Sequence, residues 1–359
     1  MNRDRTFLAA ACTAAVILAG CAHLGPHTVA VDRSDYSAAI AESWKQQTLL
    51  NIVKLRYMDL PVFVDVSSIV AGYSLQSGVN VGGTESSAKA IQGNFVAAGA
   101  QAIYTDRPTI TYVPMTGDKF LHGLITPIDP KNIFFMLQSG YAADFILGLT
   151  VESLNGVRNR SVAAGAMRDA DPDFIRVLQL LREVQAAGAV GMRVEIDKAK
   201  GQTGVLFFQR EDVTPDIAEK SAEIRRLLKL PADRTKFTLT YSPSRGAAGE
   251  LAVNSRSMLQ IMGAFASYVD VPEPDLLHHS ATPAIGSATA EGRPQPVRIH
   301  SGKDKPPGAY AAVRYRDYWF WIEDGDWQTK RALTAIMFFF TLGESGATEN
   351  LPLITIPAQ

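Results

Sequence analysis

The first eighteen residues place the strongest constraint on what this chain becomes. Arg3 and Arg5 precede an almost entirely apolar run over residues 7–18, which is the pattern of an export signal. A helix needs about 20 apolar residues to cross a bilayer, so this run is too short for a permanent span. One of the two cysteines, Cys12, lies in the signal. The exported part can therefore form no internal disulfide and must be held together by a core.

The residues that follow the run predict a lipid attachment site. Leu18, Ala19, Gly20 and Cys21 resemble the lipobox of bacterial lipoprotein signals. The resemblance implies that signal residues 1–20 are removed and that the Cys21 thiol carries diacylglycerol, with acyl chains such as palmitate holding the protein on a membrane. Ala22 stands where an Asp would resemble an inner-membrane retention signal, so we expect an anchor on the periplasmic face of the outer membrane. The alternative is an ordinary secretory signal with an incidental cysteine.

Charge and hydropathy exclude some classes of partner. The chain has 35 Lys and Arg residues against 36 Asp and Glu residues, and the basic residues are dispersed. Because nucleic-acid-binding proteins concentrate basic residues in a patch, we expect no nucleic-acid partner. The apolar residues 332–342 are too few to cross a bilayer. The partners that we expect are the lipid bilayer, through Cys21, and other envelope proteins, and an oligomer is left open.

The pattern of apolar and turn residues predicts an α+β fold with mainly antiparallel strands. Residues 36–57 have helical spacing, and residues 62–75 alternate as in a strand. Further helices are predicted to begin at Pro130, Pro172 and Pro215, where the missing N–H donor is harmless. The predicted organisation is a tether over 21–35, a helix and β-hairpin with a Gly/Ser-rich loop over 36–101, and two α+β halves over 102–235 and 236–359, the second with a flexible insertion over 279–296.

A short internal match suggests that the two halves are duplicates. The segment TITYVP at residues 109–114 returns as TLTYSP at residues 238–243. Weaker matches follow in the same order, and they predict similar halves over about residues 102–210 and 236–357. The alternative is coincidence among residues that are common at strand ends and helix caps.

No pattern in the sequence predicts catalysis, a metal or a cofactor. The six histidines show no metal-ligand spacing. Ser86 and Lys89 have the serine–lysine spacing of penicillin-recognising enzymes without the partner motifs of that class. Glu323, Asp324 and Asp326 would suit a cation site or acid–base chemistry; alternatively, Asp324 or Asp326 caps the following helix.

A dense aromatic group near the C-terminus is a candidate ligand surface. Tyr315, Tyr318, Trp319 and Trp321 would suit stacking against a glycan. The alternative follows from strand alternation, which sends about half of these side chains into the core.

The Gly/Ser-rich segment 77–100 raises a further function, a contribution of strands to an oligomeric outer-membrane pore. Such strands need about 9–11 residues with one lipid-facing row. Phe95, Ala97, Gly99, Gln101 and Ile103 form a poor lipid-facing row. This row counts against a pore.

Three segments resemble a known group of proteins. QTLLNIVKLRY at 47–57, VDVSSI at 64–69 and RPTITY at 107–112 are similar to segments of a group of uncharacterised bacterial lipoproteins of Gram-negative type. The resemblance covers most of the mature chain and implies no activity. We predict a non-catalytic scaffold or partner-binding module in the periplasm. The alternatives are glycan or peptidoglycan binding through residues 315–327, an oligomeric outer-membrane pore or secretion component, and an envelope hydrolase.

Overall fold

The computed structural model describes residues 28–70, 72–84, 95–163, 166–197, 201–209, 213–282 and 297–344. These residues form an α+β fold with mainly antiparallel sheets, which confirms the predicted fold class. The chain divides into two compact units: unit 1 contains residues 1–41, 64–114 and 349–359, and unit 2 contains residues 42–63 and 115–348. Three predicted features lie outside the described residues: the export signal, residues 283–296 of the insertion, and the last strand, 351–356.

The first helix, α1 (Thr28–Arg56), begins eight residues before its predicted start and extends into the predicted tether. Residues 28–56 contain no Pro or Gly, so nothing interrupts the backbone hydrogen bonds. The side chain of Asn51, which is fully buried, fixes the reversal after the helix. Its Nδ2 donates to the Val62 carbonyl at 2.8 Å, and its Oδ1 accepts from the Val62 N–H at 2.9 Å.

Unit 1 is dominated by two successive two-stranded ladders. Strand β1 (Phe63–Val70) pairs with β4 (Thr109–Met115), and β2 (Tyr73–Thr84) pairs with β3 (Phe95–Asp106). Two residues separate β1 from β2, and two separate β3 from β4, so the ladders form one ribbon, here called the β-ribbon. The Arg107 N–H donates to the Gly72 carbonyl at 2.9 Å where the ladders meet. The predicted hairpin is therefore present, and its paired strands extend beyond both ends of residues 77–100.

The largest sheet of unit 2 has six strands in the order β6–β5–β12–β11–β10–β9. Neighbours are antiparallel except for β11 and β12, which are parallel. Asn155 and Gly156, both with positive φ, form the tight turn between β5 and β6. The strands are β5 (Val151–Leu154), β6 (Val157–Arg158), β9 (Val190–Asp197), β10 (Gly201–Phe208), β11 (Lys236–Tyr241) and β12 (Glu250–Ser255), and a separate hairpin contains β7 (Ser161–Ala163) and β8 (Ala166–Arg168).

Three helices of unit 2 begin at the predicted prolines: α3 (Pro130–Gln138), α5 (Pro172–Ala186) and α6 (Pro215–Leu227). The Asp129 side chain caps α3 by accepting from the Lys131 N–H at 2.9 Å. No helix in the described part of the chain is long and apolar enough to cross a membrane. The other helices of unit 2 are α2 (Asp118–Ile125), α4 (Ala143–Thr150), α7 (Met258–Ala266), α8 (Glu273–Leu277) and α9 (Trp327–Glu344).

A three-stranded antiparallel sheet precedes α9. Its order is β13–β15–β14, with β13 (His300–Gly302), β14 (Ala309–Tyr315) and β15 (Tyr318–Glu323). The acidic residues after β15 start the next helix. Asp326 Oδ1 accepts from the Thr329 N–H at 3.0 Å, and Asp324 accepts from Lys330 Nζ at 2.7 Å. The capping alternative is confirmed for Asp326.

The core of unit 2 draws on helices and on both sheets. Phe320 and Ile322 on β15, Phe237 on β11 and Ile336 on α9 are fully buried. The predicted apolar stripe of α5 lies in the same core, with Phe174 and Val177 fully buried among its members. Each such side chain contributes about 1.5–3 kcal/mol relative to exposure. Unit 2 therefore contains the burial that an independently stable domain needs.

The two strands that match best between the proposed halves have different neighbours. Residues 109–115 form β4, which pairs with β1 in a two-stranded ladder. Residues 236–241 form β11, which lies inside the six-stranded sheet between β10 and β12. A strand with one neighbour and a strand with two are not equivalent positions of a repeat. The similarity of the wider halves, residues 102–210 and 236–357, stays a prediction.

Candidate functional site

The predicted lipid site precedes the described residues. Cys21 and the lipobox residues Leu18, Ala19 and Gly20 therefore have no described geometry. The start of α1 still limits the length of any tether, because only six residues separate Cys21 from Thr28. At the maximum extension of a polypeptide, the sulfur-bearing residue lies within about 25 Å of the helix start. A lipid on Cys21 would hold unit 1, which contains this helix start, close to the bilayer surface.

The four aromatic residues predicted to bind a glycan lie on two different faces of their sheet. Phe320 and Ile322 alternate into the core, so Trp319 and Trp321 lie on the opposite face of β15. Tyr315 and Tyr318 are opposite each other on the core-facing side. The Tyr315 hydroxyl donates to the Asp59 carboxylate, and its ring packs edge-on against Tyr57 with centroids 5.3 Å apart. Strand alternation thus leaves two of the four candidates on a shared outer face.

The two tryptophans on that outer face are already in contact with neighbouring residues. The His300 ring stacks on Trp321 with centroids 5.6 Å apart, and Lys305 Nζ lies 5.4 Å from the centroid of the Trp319 ring. Both indoles are half-buried. A methyl group added to Gly302 would come within 3.2 Å of the Trp321 ring, so the indole lies directly over that glycine. Glycan binding through this pair stays a prediction.

Titratable groups provide little for catalysis in the described part of the chain. His300 lies 3.7 Å from Asp270 and 3.6 Å from Glu323, both beyond hydrogen-bond distance. No group of three or more His, Cys, Asp or Glu side chains among the described residues is arranged to hold a metal ion. Ser86 and Lys89 lie outside those residues. The serine–lysine candidate, and with it the hydrolase alternative, stays a prediction.

Unit 2 contains a cavity of about 590 Å³ between α3, α5 and the β9–β10 edge of the large sheet. Two of the polar side chains that line it, Gln185 and Gln138, bind the protein's own backbone. Gln185 Nε2 donates to the carbonyls of Leu137 and Tyr141, each at 2.8 Å. Gln138 Oε1 accepts from the Met192 N–H at 3.2 Å. A specific ligand site needs polar groups that converge on the ligand, and these converge on the chain itself.

A buried charged network beside β5 is likewise satisfied internally. Arg256 is 8% exposed; its Nε donates to Glu152 at 3.1 Å and its Nη1 donates to the Leu149 carbonyl at 3.1 Å. Arg168 binds the other carboxylate oxygen of Glu152 at 2.7 Å. Burial lowers the pKa of Arg256, and the adjacent Glu152 carboxylate offsets part of that effect. The network ties the end of α4 to β12 and thus has a structural role.

The β-ribbon is the region whose surface is not accounted for by its own packing. Every residue of β4 from Thr109 to Pro114 is exposed, including Ile110, Tyr112 and Val113. On the outer ladder, Gln76 and Gln101 are exposed, and methyl groups added to the exposed glycines 78, 82 and 99 would meet nothing within 4 Å. Each of the four strands pairs with a single neighbour among the described residues. The ribbon thus presents a polar face, apolar groups and open strand edges to its surroundings.

The register of the outer ladder sorts its residues into two rows. The twelve rungs pair Tyr73 with Asp106 at one end and Thr84 with Phe95 at the other. Residues directly opposite each other share a face. One face therefore contains the odd residues 73–83 of β2 and the even residues 96–106 of β3, which we call the apolar row. The other contains the even residues 74–84 and the odd residues 95–105, which we call the polar row.

The residue types of the two rows differ. The apolar row consists of Tyr, Leu, Ser, Val, Val and Gly on β2, and of Val, Ala, Ala, Ala, Tyr and Asp on β3. The polar row consists of Ser, Gln, Gly, Asn, Gly and Thr on β2, and of Phe, Ala, Gly, Gln, Ile and Thr on β3, so its polar residues lie mainly on β2. The row that begins at Phe95, which is a poor lipid-facing row, is half of the polar row. The alternation of Leu75, Val79 and Val81 with polar residues was the signal that could have revealed the other row.

Comparisons with protein-family models, with curated proteins and with solved structures find no match to this chain.

Proposed function

We propose that this chain is a non-catalytic, lipid-anchored protein of the outer membrane, facing the periplasm, that assembles with further copies of itself through the β-ribbon. The observation that carries the proposal is the pairing of the ribbon. Its two ladders have two strands each, and the described side chains between Val64 and Pro114 include no buried apolar residue. An isolated two-stranded hairpin is marginally stable in water, so such a ribbon needs neighbours.

The open edges indicate how the neighbours would attach. An unpaired strand edge is a row of free N–H and C=O groups, and another strand can complete it by main-chain hydrogen bonds. Charged residues commonly protect such an edge, yet Asp106 is the one charged residue in the outer ladder. Unit 2, with its complete core, would act as the scaffold that each copy contributes to the assembly. The lipid on Cys21 would concentrate the copies on one membrane.

The proposal is tested by cross-linking the full-length protein in membranes and by measuring the mass of the complex in a mild detergent. The wild-type chain should form a defined oligomer. A variant in which residues 77–100 are replaced by a short Gly-Ser turn should remain monomeric. Its matched control replaces residues 283–296, the other segment of low complexity, with a Gly-Ser linker of equal length and should keep the oligomer. A wild-type protein that is monomeric at all concentrations contradicts the proposal.

A further inference from the structure

We propose that the outer ladder, β2 with β3, is a membrane-spanning hairpin. Its apolar row would contact lipid, and its polar row would face the aqueous interior of a ring built from the hairpins of several copies. The inference rests on the proposed function, since a single hairpin cannot close a ring. It names the element that enters the bilayer and the direction in which each row points.

The length of the ladder fits a bilayer. Each strand contributes twelve residues to the register. A tilted strand crosses the hydrocarbon core in about 9–11 residues. The ladder therefore spans the core with about one residue to spare at each end, whereas β1 and β4 are shorter and would remain outside.

The distribution of charge fits as well. Among the paired residues of β2 and β3, Asp106 alone is charged, although 20% of the whole chain is charged. Asp106 lies on the first rung, and Arg107 follows it beside Gly72, where the ladder meets the rest of the ribbon. Charges at this end and none along the ladder are the pattern expected when one end lies at the membrane surface.

The two rows suit the two environments of a membrane-spanning strand, which are lipid on one face and water on the other. In such strands, lipid-facing apolar residues alternate with polar residues that face the interior, and aromatic residues mark the interface. The apolar row has Tyr73 and Tyr104 near the charged end, followed by Leu, Val and Ala. On the polar row the side-chain amides of Gln76, Asn80 and Gln101 are exposed, and the apolar members of this row are confined to β3.

Backbone hydrogen bonding requires several copies. Inside hydrocarbon an unsatisfied N–H or C=O group is costly, and each strand of the outer ladder has an edge without a partner among the described residues. Neighbouring hairpins would satisfy these edges by continuing the sheet. Because only six residues separate Cys21 from Thr28, a lipid on Cys21 would hold unit 1, to which the ribbon belongs, near the bilayer.

The direction of the rows can be tested with adjacent cysteines, because Cys21 is the one cysteine outside the signal. Val79→Cys and Ala100→Cys report on the apolar row; Asn80→Cys and Gln101→Cys are their neighbours in the polar row. Each full-length variant is labelled with a polarity-sensitive fluorophore and reconstituted into vesicles of phosphatidylethanolamine and phosphatidylglycerol. The protein without an added cysteine gives the background.

The proposal predicts blue-shifted emission and quenching by nitroxide-labelled lipid at positions 79 and 100. Positions 80 and 101 should respond to a water-soluble quencher instead. Equal responses from both pairs, or no lipid quenching in any variant, would overturn the inference. If the wild-type oligomer still forms in that case, the proposed function survives. Lipid quenching at positions 79 and 100 by a protein that never oligomerises would overturn the ring and the proposed function together.

A charge placed in each row gives a second, independent measurement. Val79→Lys should reduce the membrane-inserted fraction by at least about 30-fold, since a lysine on the lipid face near the midplane is strongly disfavoured. Asn80→Lys, one residue away on the polar row, should insert like the wild-type protein. Circular dichroism of both variants checks that unit 2 is folded. Equal insertion of the two variants contradicts the assignment of the rows.

Discussion

Unit 2 and the β-ribbon of unit 1 differ in how far their apolar side chains are buried. In unit 2, residues from helices and from both sheets meet in one buried core, with Phe320, Ile322 and Ile336 fully buried. In the ribbon, β4 is exposed along residues 109–114, and Tyr112 is 61% exposed. Exposed apolar residues on the ribbon are not needed for the core of unit 2. Such residues commonly mark an interaction site, so we infer that the ribbon binds something outside its own fold.

The contrast also separates two kinds of polar group. In unit 2 the buried polar side chains of Asn51, Asn155 and Arg256 bind the backbone of the same unit. The amides of Gln76, Asn80 and Gln101 on the ribbon are exposed. Buried polar side chains thus stabilise unit 2 by internal hydrogen bonds, whereas those of the β-ribbon are exposed. The following variants test this difference.

The largest effect is expected for Cys21→Ser. Without the thiol no diacylglycerol can be attached, and two acyl chains are what stable anchoring requires. We expect most of the protein to move from the membrane to the soluble periplasmic fraction, with unit 2 still folded and the oligomer lost. Fractionation, thermal unfolding and native mass measure these three properties. A Cys21→Ser protein that still incorporates labelled palmitate contradicts the lipid site.

Next in size is truncation of the core of unit 2. Phe320→Ala should lower the free energy of unfolding by about 3–5 kcal/mol, because it leaves a cavity among fully buried neighbours. The matched variant is Tyr112→Ala on the ribbon, where the exposed ring should change the monomer by less than about 0.5 kcal/mol. Denaturant unfolding in detergent measures both. Similar losses from the two variants would mean that the ribbon is part of the folding core.

A smaller loss is expected from the buried charge network. Glu152→Ala removes the carboxylate that pairs with the buried Arg256, and the unpaired guanidinium should lower the free energy of unfolding by about 2 kcal/mol. The control is Glu223→Ala, which breaks the exposed ion pair with Arg176 and should leave the unfolding midpoint nearly unchanged. If Glu223→Ala proves the more destabilising of the two, the assignment of Glu152 to a buried network is wrong.

The smallest effect concerns alkaline pH. Burial, and secondly the hydrogen bond to Asp275 at 2.7 Å, raise the pKa of Tyr57. Because its pKa is higher in the folded than in the unfolded state, Tyr57 contributes stability below about pH 10 that is lost as pH rises above that value. Tyr57→Phe should lower stability at neutral pH by about 1 kcal/mol and show a shallower decline above pH 10. Parallel alkaline curves for both proteins would contradict this.

Elements specified by local chemistry were predictable from the sequence. The helices at Pro130, Pro172 and Pro215 begin where expected, because a proline in the first turn fixes φ and loses no hydrogen bond. The prediction that an acidic residue of this turn caps the following helix is confirmed for Asp326. The start of α1 was predicted eight residues too late, because residues 28–35, which contain no Pro or Gly, were assigned to the tether.

Elements that depend on pairing were not predictable. The match between residues 109–114 and 238–243 implied equivalent strands, but strand position depends on which neighbours pair, and hexapeptides do not specify that. The apolar row of the outer ladder was not predicted for a related reason. Alternate residues of β3 were considered without those of β2, whereas each face of a ladder contains residues of both strands, and only the register shows which of them lie together.

The sequence by itself determined the predicted address and the composition of the ribbon: a lipobox at Cys21, and long segments without charge between Tyr73 and Thr84 and between Phe95 and Thr105. Tertiary structure decided that these segments pair over twelve rungs, that the valines of one strand are opposite the alanines of the other, and that Tyr315 and Trp319 belong to opposite faces. The physical reason is that alternation is a local property of each strand, whereas the partner and the register of a strand depend on contacts distant in sequence.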